Sequence, residues 1–196
     1  PRVTGHPESK DVALLADGRL DTVCTLPPGS KPFMVDIEID APFTARGLVL
    51  HPATTPFAVD CELQVAAGSG DFKTVRKVVL DRTNPSPSVG FMAYGPVCVA
   101  FGPVTSKHYR VVFSGQKNNG GIAEIELTGA ARLESYVEKQ LGKMCQTPFP
   151  RWDTYLWPKS VEPDLPELAV RPDGVINLTS SMAADGTLRW DVPAGE

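Results

Sequence analysis

The 196-residue sequence lacks a basic run, and its 19 Lys and Arg against 23 Asp and Glu leave a net charge of −4. That balance argues against a nucleic-acid or anionic-membrane footprint, both of which need clustered positive charge. No apolar stretch approaches the ~20 residues that span a bilayer. Cysteine is sparse and scattered: Cys24, Cys61, Cys98 and Cys145 form no CxxC pair and no Cys/His cluster, which argues against zinc. No GxSxG, phosphate loop or dinucleotide fingerprint is present, and no Ser/His or Cys/His pair has motif context. Carboxylates are plentiful, but a glycosidase pair must stand ~5–9.5 Å apart across a cleft, which a sequence does not define. Catalysis by this chain alone is not expected.

What the chain has is turn chemistry and alternation. Nineteen prolines and 17 glycines favour short strands and many turns over long helices. A hydrophobic share of 42% and the chain length suffice for a buried core. The organising stretch is residues 108–129, HYRVVFSGQKNNGGIAEIELTG. Tyr109, Val111 and Phe113 alternate with His108, Arg110 and Ser114; Ala123, Ile125 and Leu127 alternate with Glu124 and Glu126. A period of two with one apolar face predicts two half-buried antiparallel strands around the QKNNGG loop.

Upstream, residues 1–10 read as an irregular lead-in, followed by a short apolar segment that runs into Asp17-Gly18 and Thr22. Strands are predicted over 33–39, over 47–50 (closed by His51-Pro52), over 60–66, over 74–80 and over 97–101. The alternation of 74–80 breaks at Arg76-Lys77, where a bulge is expected. Cys61 keeps phase with Leu63 and Val65 and reads as a small buried hydrophobe. Short strands with turn signals between them indicate an all-β antiparallel sandwich or jelly roll over residues 10–129.

After Gly129 the period changes. ARLESYVEKQLGKM puts Leu133, Tyr136, Val137 and Leu141 on one stripe of an amphipathic helix. A proline-rich segment with Trp152, Tyr155 and Trp157 follows, and then Val175–Leu178 and Thr187–Val192 read as a β-pair about Asp185-Gly186. Residues 130–196 carry too few apolar side chains for a core of their own. They are expected to pack on the sandwich or on a larger parent protein. The opening at Pro1 and the stop at Glu196 in mid-pattern read as the bounds of an excised piece.

Asp17-Gly18 with Thr22, Tyr109-Arg110, and Ala123-Glu124-Ile125 together resemble the galactose-binding-like fold of discoidin-type and family 32 carbohydrate-binding modules. The tail, VINLTSSMAADGTLRWDVPAGE, resembles a segment of the α-L-rhamnosidases of glycoside hydrolase family 106. These likenesses imply an accessory sandwich cut from such a hydrolase, with other domains of the parent and a rhamnose- or galactose-containing glycan as partners. They imply an extracytoplasmic (periplasmic or secreted) location, and they carry over no catalytic residue. A discoidin-like interaction module is the alternative, and a hydrolase fragment lending one residue to a shared active site is a third reading.

The ligand-binding candidates, placed in loops, are His51, Tyr94, Gln116, Asn118 and Asn119, an aromatic and several amide or imidazole groups suited to sugar hydroxyls. For each, ordinary loop chemistry is the plain alternative, and for Phe57 and Phe91 it is core packing. Asp17, Thr22 and Glu124 offer oxygens of the kind calcium prefers, and the resemblance implies that use. The plain alternative is an Asp turn bonded to its own backbone beside a solvated strand carboxylate.

Overall fold

The alternation that begins at Phe33 does not stop at the turn-like Asp40-Ala41-Pro42. β3 runs unbroken from Phe33 to Pro52. The computed structural model describes residues 1–27, 31–66, 70–83, 94–130, 132–134, 136–137 and 170–192. Among them the strands are β1 (Arg2–His6), β2 (Cys24–Thr25), β3, β4 (Ala58–Ala66), β5 (Phe72–Asp81), β6 (Val97–Lys117) and β7 (Gly121–Thr128). All pairings are antiparallel.

Two long strands make the two layers. Residues 34–38 of β3 pair with β1 on one side, and residues 33–38 pair with residues 108–113 of β6 on the other. Residues 47–50 pair instead with residues 97–100 of β6 and with β7. Register shifts at Glu38/Phe43 and Ala45/Gly47 mark the passage between layers, since a bulge bends a strand and raises its twist. The first layer is ordered β1–β3–β6–β4–β5 and the second β2–β7–β3–β6. The segments 47–50 and 97–101, expected as separate short strands, are the far halves of β3 and β6.

Inward-facing Phe33, Val35 and Ile37 meet Leu48, Leu50, Ile122 and Ile125 from the opposite layer, with Leu63, Tyr109 and Phe113 beside them. Each such Leu, Ile or Phe stabilises the fold by about 1.5–3 kcal/mol through burial. Cys61 is buried among them as a small apolar side chain, and desolvation raises its thiol pKa.

The lead-in differs from expectation. Residues 2–6 are a strand, because Val3 and Gly5 find the free edge of β3, and a 3-10 helix (Lys10–Ala16) buries Val12 and Leu15. The β5 bulge falls at Val75, one residue before the expected break: Leu63 faces Arg76 and Gln64 faces Thr74. Of the expected helix only residues 130, 132–134 and 136–137 are described; Glu134, Tyr136 and Val137 lie in turns, with Val137 buried and Leu133 and Tyr136 exposed. Glu134 fastens that turn to the sheet, accepting from Arg76 Nη2 at 2.8 Å and from the Ala100 amide at 3.1 Å. Leu141, Cys145, Trp152, Tyr155 and Trp157 lie outside the described residues, as does Phe91.

The chain separates into two compact units, Pro1–Pro163 and Asp164–Glu196. In the second, Met182 and Leu188 form an isolated bridge across the turn at Asp185-Gly186. Thr187–Val192 therefore has its partner at residues 181–183, where the Arg189 amide donates to Ser181 O, and not at Val175–Leu178. The nearer segment wins because the Asp185 turn, whose side chain accepts from Thr187 N, closes only a few residues.

Candidate functional site

Antiparallel pairing brings the end of β3, the start of β4, the ends of β5 and β6 and the start of β7 to one end of the sandwich. The loops there are stitched around Phe57, which is fully buried. Gly120 sits against that ring, and a Cβ built on it would fall 2.2 Å from Phe57 Cγ. Its carbonyl accepts from the Leu26 amide at 3.1 Å, and Gly121 O accepts from the Ala53 amide at 2.9 Å.

Arg82, which the sequence does not single out, clamps the other side. It is only 3% exposed. Its backbone N–H donates to Phe57 O, its Nε and Nη2 donate to Gly95 O at 3.1 and 2.9 Å, and its Nη1 donates to Asp81 O. A guanidinium donating to carbonyls makes charge-assisted bonds, stronger than neutral ones. The only sequence cue is its place at a strand end before a proline-rich loop.

On this frame Tyr94, Gln116, Asn118 and Asn119 share one end of the molecule. Tyr94 and Asn118 have φ of 56° and 64°, and among the described residues no other non-glycine residue has positive φ. Gln116, at the end of β6 and not in a loop, donates through Nε2 to Asn118 O at 2.9 Å and so braces the tip. Asn118 and Asn119 are exposed.

His51 does not belong to this group. It was expected in a loop because Pro52 follows it, but β3 continues through it, and a register shift at His51/Pro52 accommodates the proline. It faces Glu124 across the ladder, and its Nε2 lies 2.7 Å from Glu126 Oε1.

That pairing places His51 next to the Asp17 turn. Glu124 is 8% exposed and accepts from the Gly18 amide through Oε2 at 3.2 Å. Desolvation raises its pKa; the Gly18 bond opposes the shift, the carboxylates of Asp17 and Glu126 add to it, and His51 opposes it. Asp17 accepts from Arg19 N at 2.9 Å and from Thr22 Oγ1 at 2.8 Å, while the Arg19 carbonyl turns toward the same hydroxyl at 3.4 Å. Asp17, Thr22 and Glu124 are thus gathered at one turn, which closes through these hydrogen bonds. No third His, Cys, Asp or Glu forms a metal-binding group with them among the described residues.

An apolar hollow of about 430 Å³, lined by residues that include Val3, Ile37, Phe43 and Leu127, lies on the flank between the layers. None of Tyr94, Gln116, Asn118 and Asn119 lines it. No helix among the described residues is long and apolar enough to cross a membrane.

The comparisons with known proteins agree with this architecture. The family model of the glycoside hydrolase family 106 alpha-L-rhamnosidases matches residues 8–196. The rhamnosidase from Novosphingobium sp. PP1Y superposes with a TM-score of 0.58 at 20% identity over 100% of this chain and 17% of that one. The present chain therefore spans about a sixth of that rhamnosidase's length. The family 32 carbohydrate-binding module of AlyQ, solved with 4,5-unsaturated mannuronic acid, gives a TM-score of 0.53 at 12% identity over 66% of this chain and 95% of that one. A pectin-binding carbohydrate-binding module gives 0.52 at 20% identity over 67% and 91%. No curated protein sequence matches the chain.

Proposed function

The chain belongs to the alpha-L-rhamnosidase family, its family model matching residues 8–196, and from that membership we propose that it serves as a carbohydrate-binding accessory domain of such an enzyme. The observation that carries the reading is the placement of Tyr94 and Asn118. Both hold positive φ at the loop-bearing end of a sandwich built like a carbohydrate-binding module. At Tyr94 that conformation costs roughly 1–2 kcal/mol, whereas an asparagine such as Asn118 tolerates it readily; strain of this kind persists where the surroundings fix it, and it clusters at functional sites. The buried clamp of Arg82 and the Phe57–Gly120 contact are what fix it here. A platform of one phenol ring and three amide side chains suits the apolar face and the hydroxyls of a sugar.

The test separates fold from binding. Tyr94→Gly and Asn118→Gly relieve the backbone and remove the side chain. The melting temperature should stay level or rise, while affinity for galactose- and rhamnose-containing oligosaccharides in calorimetry falls at least tenfold. Unchanged affinity in both variants would sink the reading.

Calcium at the Asp17 turn is a separate proposal, supported by the gathering of Asp17, Thr22 and Glu124 with the Arg19 carbonyl. These oxygens are hard donors of the class that binds calcium. The ion would neutralise the Asp17 and Glu124 carboxylates and tie the turn to β7. Its role would be structural.

A further inference from the structure

The first layer carries polar chemistry on its outer face that the loop-end site does not use. In register across four strands, Thr4 of β1, Asp36 of β3, Arg110 of β6 and Gln64 of β4 form one row, with Arg2, Glu38 and His108 in the next. Asp36 is held from two sides: Arg110 Nη2 donates to its Oδ2 at 2.9 Å, and His6 Nε2 lies 3.3 Å from the same oxygen. The Arg110 guanidinium in turn stacks on Phe72, its Cζ 3.8 Å from the ring centroid. Beside this stack lies a hollow of about 230 Å³, lined by Asp36, Glu38, Gly70, Phe72 and His108 among others. That is the size of one monosaccharide ring with some solvent.

We propose that this hollow is a second sugar subsite, one that takes a neutral monosaccharide unit. It rests on the glycan-binding reading above but shares no residue with the loop end. Phe72 supplies the apolar wall for the C–H face of a ring. Asp36 is a preoriented acceptor, because Arg110 and His6 fix it before any ligand arrives, so little ordering cost remains on binding. Glu38 and His108, each about half exposed and 4.0 Å apart, reach hydroxyls from the opposite side. Gly70 keeps the wall open, since a Cβ there would meet nothing within 4 Å.

Charge selects the ligand class. Arg110 is paired with Asp36, and in the next row Arg2 stands in register opposite Glu38, so guanidiniums and carboxylates balance across the two rows. A face with its two signs balanced holds no net positive charge to draw a uronate. The subsite therefore prefers galactose or rhamnose units to galacturonate.

The experiment is an amide chemical-shift titration of the ¹⁵N-labelled chain with galactobiose, methyl α-L-rhamnoside and digalacturonate. With one of the neutral probes, the amides of Ile37, Glu38 and Phe72 should shift and saturate. Phe72→Leu and Glu38→Ala should each weaken that response at least fivefold, and Phe72→Tyr should restore it. A dispersed spectrum in each variant certifies the fold. Unmoved amides on this face with both neutral probes, or an undiminished response in Phe72→Leu and Glu38→Ala, overturns the subsite. Digalacturonate moving the same amides overturns the neutral-sugar assignment. The amides of Asn119 and Gly121 report on the loop end in the same spectra, so failure of one site is read apart from failure of the other.

Discussion

The hydroxyl of Tyr109 lies 2.6 Å from the carbonyl oxygen of Phe43, joining the middle of β6 to the bend of β3. Val104 O is 2.8 Å away, and the Ser106 amide donates to the same hydroxyl at 3.2 Å. Tyr109 is fully buried, so Tyr109→Phe removes a hydrogen-bonding partner from these groups where water cannot replace it. The variant should lose about 1–3 kcal/mol, read as a lower urea midpoint at unchanged slope.

The same side chain has an alkaline signature. Desolvation raises its pKa above the ordinary 10.0, with backbone hydrogen bonds opposing. Its contribution is full below that value and is lost as the pH climbs through the folded value, because the unfolded chain ionises first. Tyr109→Phe should flatten the decline of stability above about pH 10.

Glu124 titrates in the opposite range. Its folded pKa lies above the ordinary 4.5, so the fold keeps the proton longer than the unfolded chain does. The contribution is full below 4.5 and is lost as the pH rises through the folded value. Glu124→Gln should therefore lose less stability than the parent as the pH rises above 4.5 in denaturant titrations. Saturating calcium should reverse the sign, since it stabilises the ionised carboxylate. A chelator that leaves the melting curve and this pH profile untouched would remove calcium from the Asp17 turn.

Gly120→Ala puts a methyl group into the Phe57 ring, and overpacking of this kind costs about 1–3 kcal/mol. Arg82→Ala should cost as much or more and should also free the Tyr94 loop. Faster cleavage near residue 94 under limited proteolysis, with the strands still protected, is the expected pattern.

The legible parts of this molecule are those where one rule acts alone. Alternation at Phe33, Val35, Ile37, Tyr109, Val111 and Phe113 placed the core face of the first layer, because a half-buried strand needs nothing else. The Asp17 turn and Glu124 were readable as neighbours only through their likeness to a known fold; nothing local says that a turn and a strand 106 residues apart will meet. His51 misled because a proline ends most strands, whereas here a bulge absorbs it. Arg82 was silent because its partners are backbone carbonyls, which carry no sequence.

β3 and β6 each give one half to either layer, so neither layer has a complete set of strands without the other. Such a sandwich cannot peel apart sheet by sheet. Its slowest-exchanging amides should span both layers and share one opening free energy, as a single cooperative unit does. Chain closure must also precede reward, since residues 33–38 wait for residues 108–113 before any first-layer ladder forms between them. Non-local pairing of this kind makes folding slow, in the millisecond-to-second range expected of all-β domains. An enzyme carrying this sandwich therefore commits to a domain that is either wholly assembled or wholly absent.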